Sequence, residues 1–274
     1  MDIAPINLET ISIRLAQTPA EIEAAQHLRY KVFYEEYKAI PTPEMAALRR
    51  DFDAYDPITD HLIVVDESVS DPRDKIVGTY RLLRREAAEK AGGFYTSAEY
   101  DIASLLDKKD ATLLELGRSC VLAEYRTRPV LQLLWQGITD YMLDHNIDIM
   151  FGCASLHGTN IEELKLPLSY LYHYHLAPSH TCPRALNGRY VNMNLIPKEE
   201  INEKAAFSSL PPLIKGYLRL GCTIGDGAVI DEQFNTVDVC IIVDMKEVSE
   251  RHRKFYARKV NRHIPTAEER AAAQ

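Results

Sequence analysis

The sequence predicts an α/β protein of the α+β kind: a mixed, mostly antiparallel sheet flanked by helices, with a C-terminal elaboration. Three observations carry this reading. Segments of strand-like apolar alternation and segments of helical spacing follow one another as strand, helix, three strands, helix, strand, helix, strand. The composition, 46 % hydrophobic and 26 % charged, is that of a packed globule. The 274 residues contain no internal repeat and no low-complexity linker, and they are within reach of one large core. The expected organisation is a single domain over 1–245, elaborated from about 189, followed by a basic helix and tail over 246–274.

Each element has a local cause. Ile11, Ile13 and Leu15 alternate as a first strand. Thr18-Pro19-Ala20-Glu21 reads as a capping box with proline at the first helical position, and Ile22, Ala25, Leu28, Val32 and Phe33 then share one helical face. Residues 61–66 are an apolar run of strand length. Residues 76–83 alternate, with Thr79 and Arg81 on one side and Gly78, Tyr80 and Leu82 on the other, and 112–122 form another strand. Pro129 opens the clearest helix, in which Val130, Leu133, Leu134, Gly137, Ile138, Tyr141 and Met142 recur at helical spacing. A buried strand over 147–153 follows, and Thr159 and Asn160 cap the next helix. The last third adds strands over 189–195 and 237–245 around a helix over 212–220, with Gly225-Asp226-Gly227 as a tight turn.

Bulk properties narrow the function classes. No run approaches the roughly 20 apolar residues of a membrane span, and Met1-Asp2-Ile3-Ala4-Pro5 lacks a basic-then-apolar signal, so a cytoplasmic protein is expected. Cys120, Cys153, Cys182, Cys222 and Cys240 are odd in number with no C-x-x-C spacing, as in a protein with reduced thiols. A net charge of −8 argues against nucleic acid as a partner. That charge is uneven: 246–262 holds seven Lys or Arg against Glu247 and Glu250, a local +5 on a remainder of −13. Such a helix binds anionic lipid at the inner membrane or an acidic protein, or it is simply a solvated end. His173, His175, His180 and Cys182 match no closed zinc spacing, so no metal is expected there. Ser155 and His157 lie in no G-x-S-x-G elbow, which argues against a serine hydrolase.

Four segments concentrate residues with chemical potential: Leu28 to Phe33 leading to 51–56, the strand carrying Arg81, the run Glu115-Leu116-Gly117-Arg118-Ser119-Cys120, and Glu124 to Pro129. Glu115 and Arg118 are three apart, so strict alternation puts them on opposite faces; a bulge at Gly117 would bring them to one face and free backbone groups for an extended ligand. A strand-edge ion pair is the alternative. Arg126, Thr127 and Arg128 precede a helix start, a place suited to a phosphate.

Taken together and in order, these segments resemble the ornithine-lipid N-acyltransferases of the OlsB type, a hemolysin-like, GNAT-related family distantly similar to the acyl-homoserine-lactone synthases. The resemblance rests on Leu28 to Phe33, Asp60 to Val64, Ile76 to Leu83, Glu115 to Leu122, Leu134 to Gly137 and Met150 to Ser155. It continues through Leu210 to Gly221 and Phe234 to Val239, and runs from about Ile13 to Tyr256. It implies a GNAT-like fold and transfer of a 3-hydroxyacyl group from acyl carrier protein to the α-amine of L-ornithine, giving lyso-ornithine lipid. No tightly bound cofactor is implied; 4'-phosphopantetheine arrives on the carrier. By the synthase pattern, Arg29, Phe33, Asp53, Asp56, Arg81, Glu115 and Arg118 occupy the matching functional positions. The GNAT phosphate loop, Arg/Gln-x-x-Gly-x-Gly/Ala, is altered: Arg126 fills its first position, but Pro129 and Leu131 replace the small residues, which favours a carrier protein over coenzyme A.

An amine must be neutral to attack a thioester, and a free α-amine with a pKa near ~8 is mostly protonated at neutral pH. Glu115 is therefore the expected base, acting directly or through water. Backbone N–H groups around Ser119 and Cys120 would meet the oxyanion, with Cys120 as packing and not as nucleophile. Arg29, Arg81 and Arg118 are candidates for the acceptor carboxylate or for holding the Asp53 and Asp56 loop, and those aspartates for its second ammonium. A purely structural Arg–Asp network is the alternative. Rival functions are N-acylation of another amino acid such as glycine, a coenzyme A-dependent acetyltransferase, a quorum-signal synthase, and a membrane-binding protein of the kind the hemolysin label implies.

Overall fold

The structure is a computed structural model in which residues 7–248 and 250–272 are described. In chain order its strands are β1 (Ile11–Leu15), β2 (Asp60–Asp66), β3 (Ile76–Arg84), β4 (Tyr100–Asp101), β5 (Leu113–Val121), β6 (Ile149–His157), β7 (Arg184–Ala185), β8 (Tyr190–Val191), β9 (Thr223–Asp231) and β10 (Thr236–Asp244). Its α-helices are α1 (Pro19–Tyr30), α2 (Pro43–Leu48), α3 (Arg85–Lys90), α4 (Ala103–Leu106), α5 (Arg128–Asp144), α6 (Ile161–His175), α7 (Glu203–Ser209), α8 (Pro212–Leu220), α9 (Glu250–Val260) and α10 (Ala267–Ala272). Among the described residues, no helix is long and apolar enough to cross a membrane. The strands form mostly antiparallel pairings flanked by helices, as the element order predicts.

The chain divides into two compact units, one formed by residues up to 91 with 116–146, the other by 92–115 with 147 onward. In the first unit β1, β2 and β3 are antiparallel neighbours, and β5 follows β3 in sheet order. β2 shows how alternation distributes the core. Ile63 and Val65 join Ala24, Ala25, Leu28 and Val32 of the α1 segment, together with Ile76 and Cys120, in one buried cluster. Leu62 instead lies beneath Gly137 of α5, so successive side chains feed opposite layers. The start of α1 is fixed as expected. Thr18 Oγ1 accepts from the N–H of Glu21 at 3.3 Å, and the Glu21 carboxylate accepts from the N–H of Thr18 at 3.2 Å. After Tyr30 the helix widens into a π-helical stretch, Lys31–Glu36, a form over-represented at functional sites.

In the second unit, residues 113–115 of β5 pair in parallel with β6, β6 pairs antiparallel with β10 along its whole length, and β10 with β9. β6 runs to His157, beyond the predicted 147–153, because β10 offers it a partner up to Thr236. Two sequence expectations fail here. Gly225-Asp226-Gly227 is not a turn between strands but a bulge inside β9: Val239 pairs with Ala228 and Ile241 with Ile224, so Cys240 faces the three residues between them. Gly227 has φ +84, and a Cβ there would lie 2.4 Å from the Tyr190 ring; one on Gly225 would lie 2.7 Å from the Pro183 carbonyl oxygen. The predicted strand over 189–195 shrinks to Tyr190–Val191. Asn192 Oδ1 turns the chain by accepting from the N–H of Asn194 at 2.9 Å. The basic helix is present as α9, with no buried residue and with Phe255 39 % exposed.

Candidate active site

In the first unit, Arg29, Arg81 and Arg118 meet Asp51, Asp53 and Asp56. α1 places Arg29 on its core-facing side, where the side chain is fully buried. Its Nε donates to Asp51 Oδ2 at 2.6 Å, and its Nη2 donates to the Asp51 carbonyl at 2.6 Å and to Asp56 Oδ1 at 2.7 Å. Arg81, on β3, donates to Asp53 Oδ1 at 2.6 Å, while Arg118 reaches Asp53 Oδ2 at 3.2 Å and lies 3.3 Å from Asp51 Oδ2. Tyr34 adds a hydroxyl donor to Asp51 Oδ1 at 2.9 Å. Burial alone would raise the Asp51 carboxyl, but Arg118 and Arg29 outweigh it and hold it below its ordinary value; Arg81 and Arg118 do the same for Asp53. Burial pulls the His61 imidazole down, and its Nε2 lies 3.0 Å from the Asp56 carbonyl oxygen.

Three guanidinium groups thus balance three carboxylates. Of the roles left open by the sequence, this supports the arginines as holders of the 51–56 loop. Arg29 holds the 51–56 loop and has no exposed atom to offer a substrate carboxylate. Asp53 and Asp56 are already neutralised by arginine, so they supply no surplus negative charge for an ammonium. Asp51, which the sequence reading left out of the site, is the shared partner of Arg29 and Arg118. Phe33 is half-buried against the α1 cluster.

β5 passes from the second unit into the first, and its irregularity falls one residue later than predicted. Arg118, not Gly117, is left-handed, with φ +47. A non-glycine residue there carries a backbone cost of about 1 kcal/mol or more. Pairing with β6 ends at Glu115. Gly117 needs no special conformation, and a Cβ on it would meet nothing within 4 Å. Ser119 is half-buried and Cys120 buried; burial pushes the Cys120 thiol up to about 12, so it stays protonated at neutral pH.

Glu115 is buried and held. Its Oε2 accepts from the N–H of Tyr95 at 2.8 Å, its Oε1 from the N–H of Thr96 at 2.6 Å, and Oε1 also receives the Thr96 hydroxyl. Three donors take up most of the roughly four acceptor positions of a carboxylate. This geometry makes Glu115 the anchor of the 95–96 turn before anything else, and a role as base requires one donor to give way. Glu115→Gln is expected to lower thermal stability, because an amide NH₂ must then face a backbone N–H, a loss of about 1–3 kcal/mol. The acidic limb of the kcat/KM pH profile should keep its position. If that limb vanished while the melting temperature held, Glu115 would be the base after all.

The predicted phosphate site is partly occupied by the protein itself. Arg126 forks onto Glu36 at 2.5 and 2.6 Å, donates from Nε to the Val121 carbonyl at 2.9 Å, and lies 5.2 Å from the Tyr37 ring centroid. Thr127 is the N-cap of α5 but makes no side-chain capping bond. The side chain of Arg128 lies outside the described residues.

Sequence reasoning missed a second acidic cluster, in the second unit. Oxygens of Glu99, Asp231 and Asp238 lie within 4.8 Å of one another. Arg189 Nη2 is 3.3 Å from Glu99 Oε1, and the Cys153 thiol donates to Glu99 Oε2 at 3.2 Å. Burial pushes the Asp238 carboxyl up to about 7, and Glu99 adds to it. The one signal in the sequence is an aspartate inside the otherwise apolar run Val237-Asp238-Val239-Cys240-Ile241. This all-oxygen set suits a cation.

Fold and relatives now define the class. The GNAT acetyltransferase domain model matches residues 28–136. Among solved structures, FeeM, an N-acyl amino acid synthase from uncultured soil microbes, superposes with a TM-score of 0.51 at 11 % identity over 92 % of this chain and 99 % of its own. A coenzyme A-dependent acyl-homoserine lactone synthase, BjaI, does so with 0.50 at 14 % identity over 96 % and 98 %. At such identities these likenesses establish the fold alone. The protein is an acyltransferase of the GNAT class.

The curated L-ornithine N(alpha)-acyltransferase of Brucella abortus (strain 2308) is 50 % identical over 93 % of this chain and 92 % of its own length. That of Rhodobacter capsulatus is 43 % identical over 95 % and 98 %. The chain belongs to the L-ornithine N(alpha)-acyltransferase family.

Proposed function

We propose that this enzyme transfers a 3-hydroxyacyl group from acyl carrier protein to the α-amine of L-ornithine, giving lyso-ornithine lipid. Near-full-length identity of 43–50 % to relatives that bear the ornithine acyltransferase name carries the acceptor assignment. The donor assignment draws on the altered phosphate loop. Pro129 removes an N–H from the first turn of α5, and Leu131 replaces a small residue, so a pyrophosphate finds a poor cradle while one phosphate on a pantetheine arm asks for less.

The neutral amine nitrogen attacks the thioester carbonyl carbon, forming a C–N bond and a tetrahedral oxyanion. Backbone N–H groups near Ser119 and Cys120 meet that oxygen. Collapse breaks the C–S bond; the proton lost by the amine passes through a nearby carboxylate or water to the departing pantetheine sulfur. Cys120, kept as a thiol, forms no acyl-enzyme. Arg29, Arg81 and Arg118 act as positioning residues that hold the 51–56 loop. The basic stretch over 246–262 is assigned to the acidic carrier or to the anionic inner membrane.

Mass spectrometry of lipids from a heterologous host expressing the chain tests the reading. A 3-hydroxyacyl amide of ornithine is expected, and an acylated glycine in its place would overturn the acceptor.

A further inference from the structure

We propose that Glu99, Asp231 and Asp238 form the subsite for a side-chain ammonium on the acceptor, and so select a diamino acid over one with a neutral side chain. The inference rests on the amino-acid N-acylation proposed above and deepens it.

Four observations point there. First, the arginine–aspartate network of 51–118 is charge-balanced and offers an ammonium nothing. Second, among the described residues neither Asp231 nor Asp238 has an ion pair with Lys or Arg, and the Arg189 that faces Glu99 is itself 38 % exposed, at the solvent side.

Third, two polar atoms of β10 are buried without a hydrogen-bond partner: Asp238 Oδ1 and Thr236 Oγ1, in residues 7 % and 5 % exposed. Thr236 is the register partner of Asp231 and shares a strand face with Asp238 two residues on. The Thr236 and Ser155 hydroxyls lie beside the Asp238 carboxylate and favour its ionised form, but neither closes a hydrogen bond to Oδ1, and a carboxylate oxygen of Asp238 lies in the acidic cluster. A buried polar atom left unpaired is costly, and a ligand with several N–H donors relieves it. An ammonium brings three.

Fourth, the cluster adjoins Glu115. The Cys153 thiol reaches both Glu99 Oε2 at 3.2 Å and Thr96 Oγ1 at 3.9 Å, and Thr96 donates to Glu115. An acceptor with its ammonium at the cluster has its other end toward β5.

A divalent metal fits less well. Ca²⁺ asks for about six to eight oxygens at contact distance. Here Glu99 already accepts from Cys153 and pairs with Arg189, Asp231 Oδ1 accepts from the N–H of Phe234 at 3.0 Å, and the guanidinium beside the site repels a dication about twice as strongly as a singly charged ammonium.

The test is the ratio of kcat/KM for L-ornithine to that for L-norvaline, its near-isostere without the ammonium, using one thioester donor throughout. Asp238→Asn, Asp231→Asn and Glu99→Gln should each lower this ratio, with Asp238→Asn lowering it by about 30-fold, as for loss of one partner of a desolvated charge pair. The half-buried Asp231 provides a variant that folds even if Asp238→Asn does not. Wild-type discrimination that persists in Asp231→Asn and Glu99→Gln overturns the subsite while leaving ornithine as acceptor. A wild type that acylates both amino acids equally well overturns the diamino-acid reading itself. Stabilisation by Ca²⁺ that is lost in Asp231→Asn, with the ratio unmoved, makes the cluster a metal site and ends the proposal.

Discussion

Arg29→Met is expected to destabilise the protein by about 3–5 kcal/mol, the loss that follows removal of one partner from a buried ion pair. Arg29 is fully buried, and its guanidinium serves Asp51 and Asp56 together with a backbone carbonyl. Methionine fills the space but leaves the nearly inaccessible Asp51 carboxylate with less of its compensation, and only Arg118 and Tyr34 to hold it. Lysine should not rescue the loss, because a single ammonium cannot reproduce the Nε and Nη2 geometry. Asp51→Asn in the Arg29→Met background should recover part of the stability, as it removes the stranded charge. Urea midpoints measure all three. An Arg29→Met protein within 1 kcal/mol of wild type, a margin typical of exposed ion pairs, would place the network among surface features. Asp51 and Asp53 also set an acid limit. Their carboxyls lie below the ordinary range in the folded state, so their contribution is complete above about pH 4 and disappears as pH falls through the lowered values.

Asp238 has the opposite sign. Its carboxyl is pushed up to about 7 in the folded chain, against about 4 when unfolded. Between those values the unfolded chain is ionised and the folded chain is not, so stability falls as pH rises from about 4 to about 7 and levels off above. Asp238→Asn removes that loss. It should raise the melting temperature at pH 8, by an amount on the order of a few kcal/mol of stability, and leave the protein little changed near pH 4. A variant whose gain is equal at pH 4 and pH 8 would show that packing, not ionisation, governs the site. Carboxylates buried at a cost to stability cluster at functional sites. Ornithine should narrow the difference between wild type and variant at pH 8, since a cation that binds the ionised form lowers its cost.

Much of the fold is legible locally because its causes are local. Thr18 to Glu21 starts α1 through bonds closed within four residues. Pro129 and the spacing from Val130 to Met142 mark α5, and the alternation in 61–66 and 76–83 assigns each side chain to a layer before any partner is known. The residues that the resemblance marked also gather: Arg29, Asp53, Asp56, Arg81 and Arg118 do form one cluster. Their roles were not legible, because a role depends on partners 22 to 65 positions away along the chain. Arg29 reads equally as a substrate ligand or a loop holder until Asp51 is seen to enclose it, and the anchoring of Glu115 by Tyr95 and Thr96 has no sign in the spacing. Gly225-Asp226-Gly227 reads as a turn because a turn and a bulge need the same backbone freedom, and only the register of β10 tells them apart.

Local pattern in the sequence thus determined where most of the strands and helices lie, since periodicity and capping act over a few residues. Tertiary structure alone decided which charges cancel and which are left over. It neutralised Asp53 and Asp56 with arginine, and it brought Glu99, Asp231 and Asp238 to one place from three separate segments. Coulomb energy depends on distance in space and on burial, and neither is written in the spacing of residues along the chain.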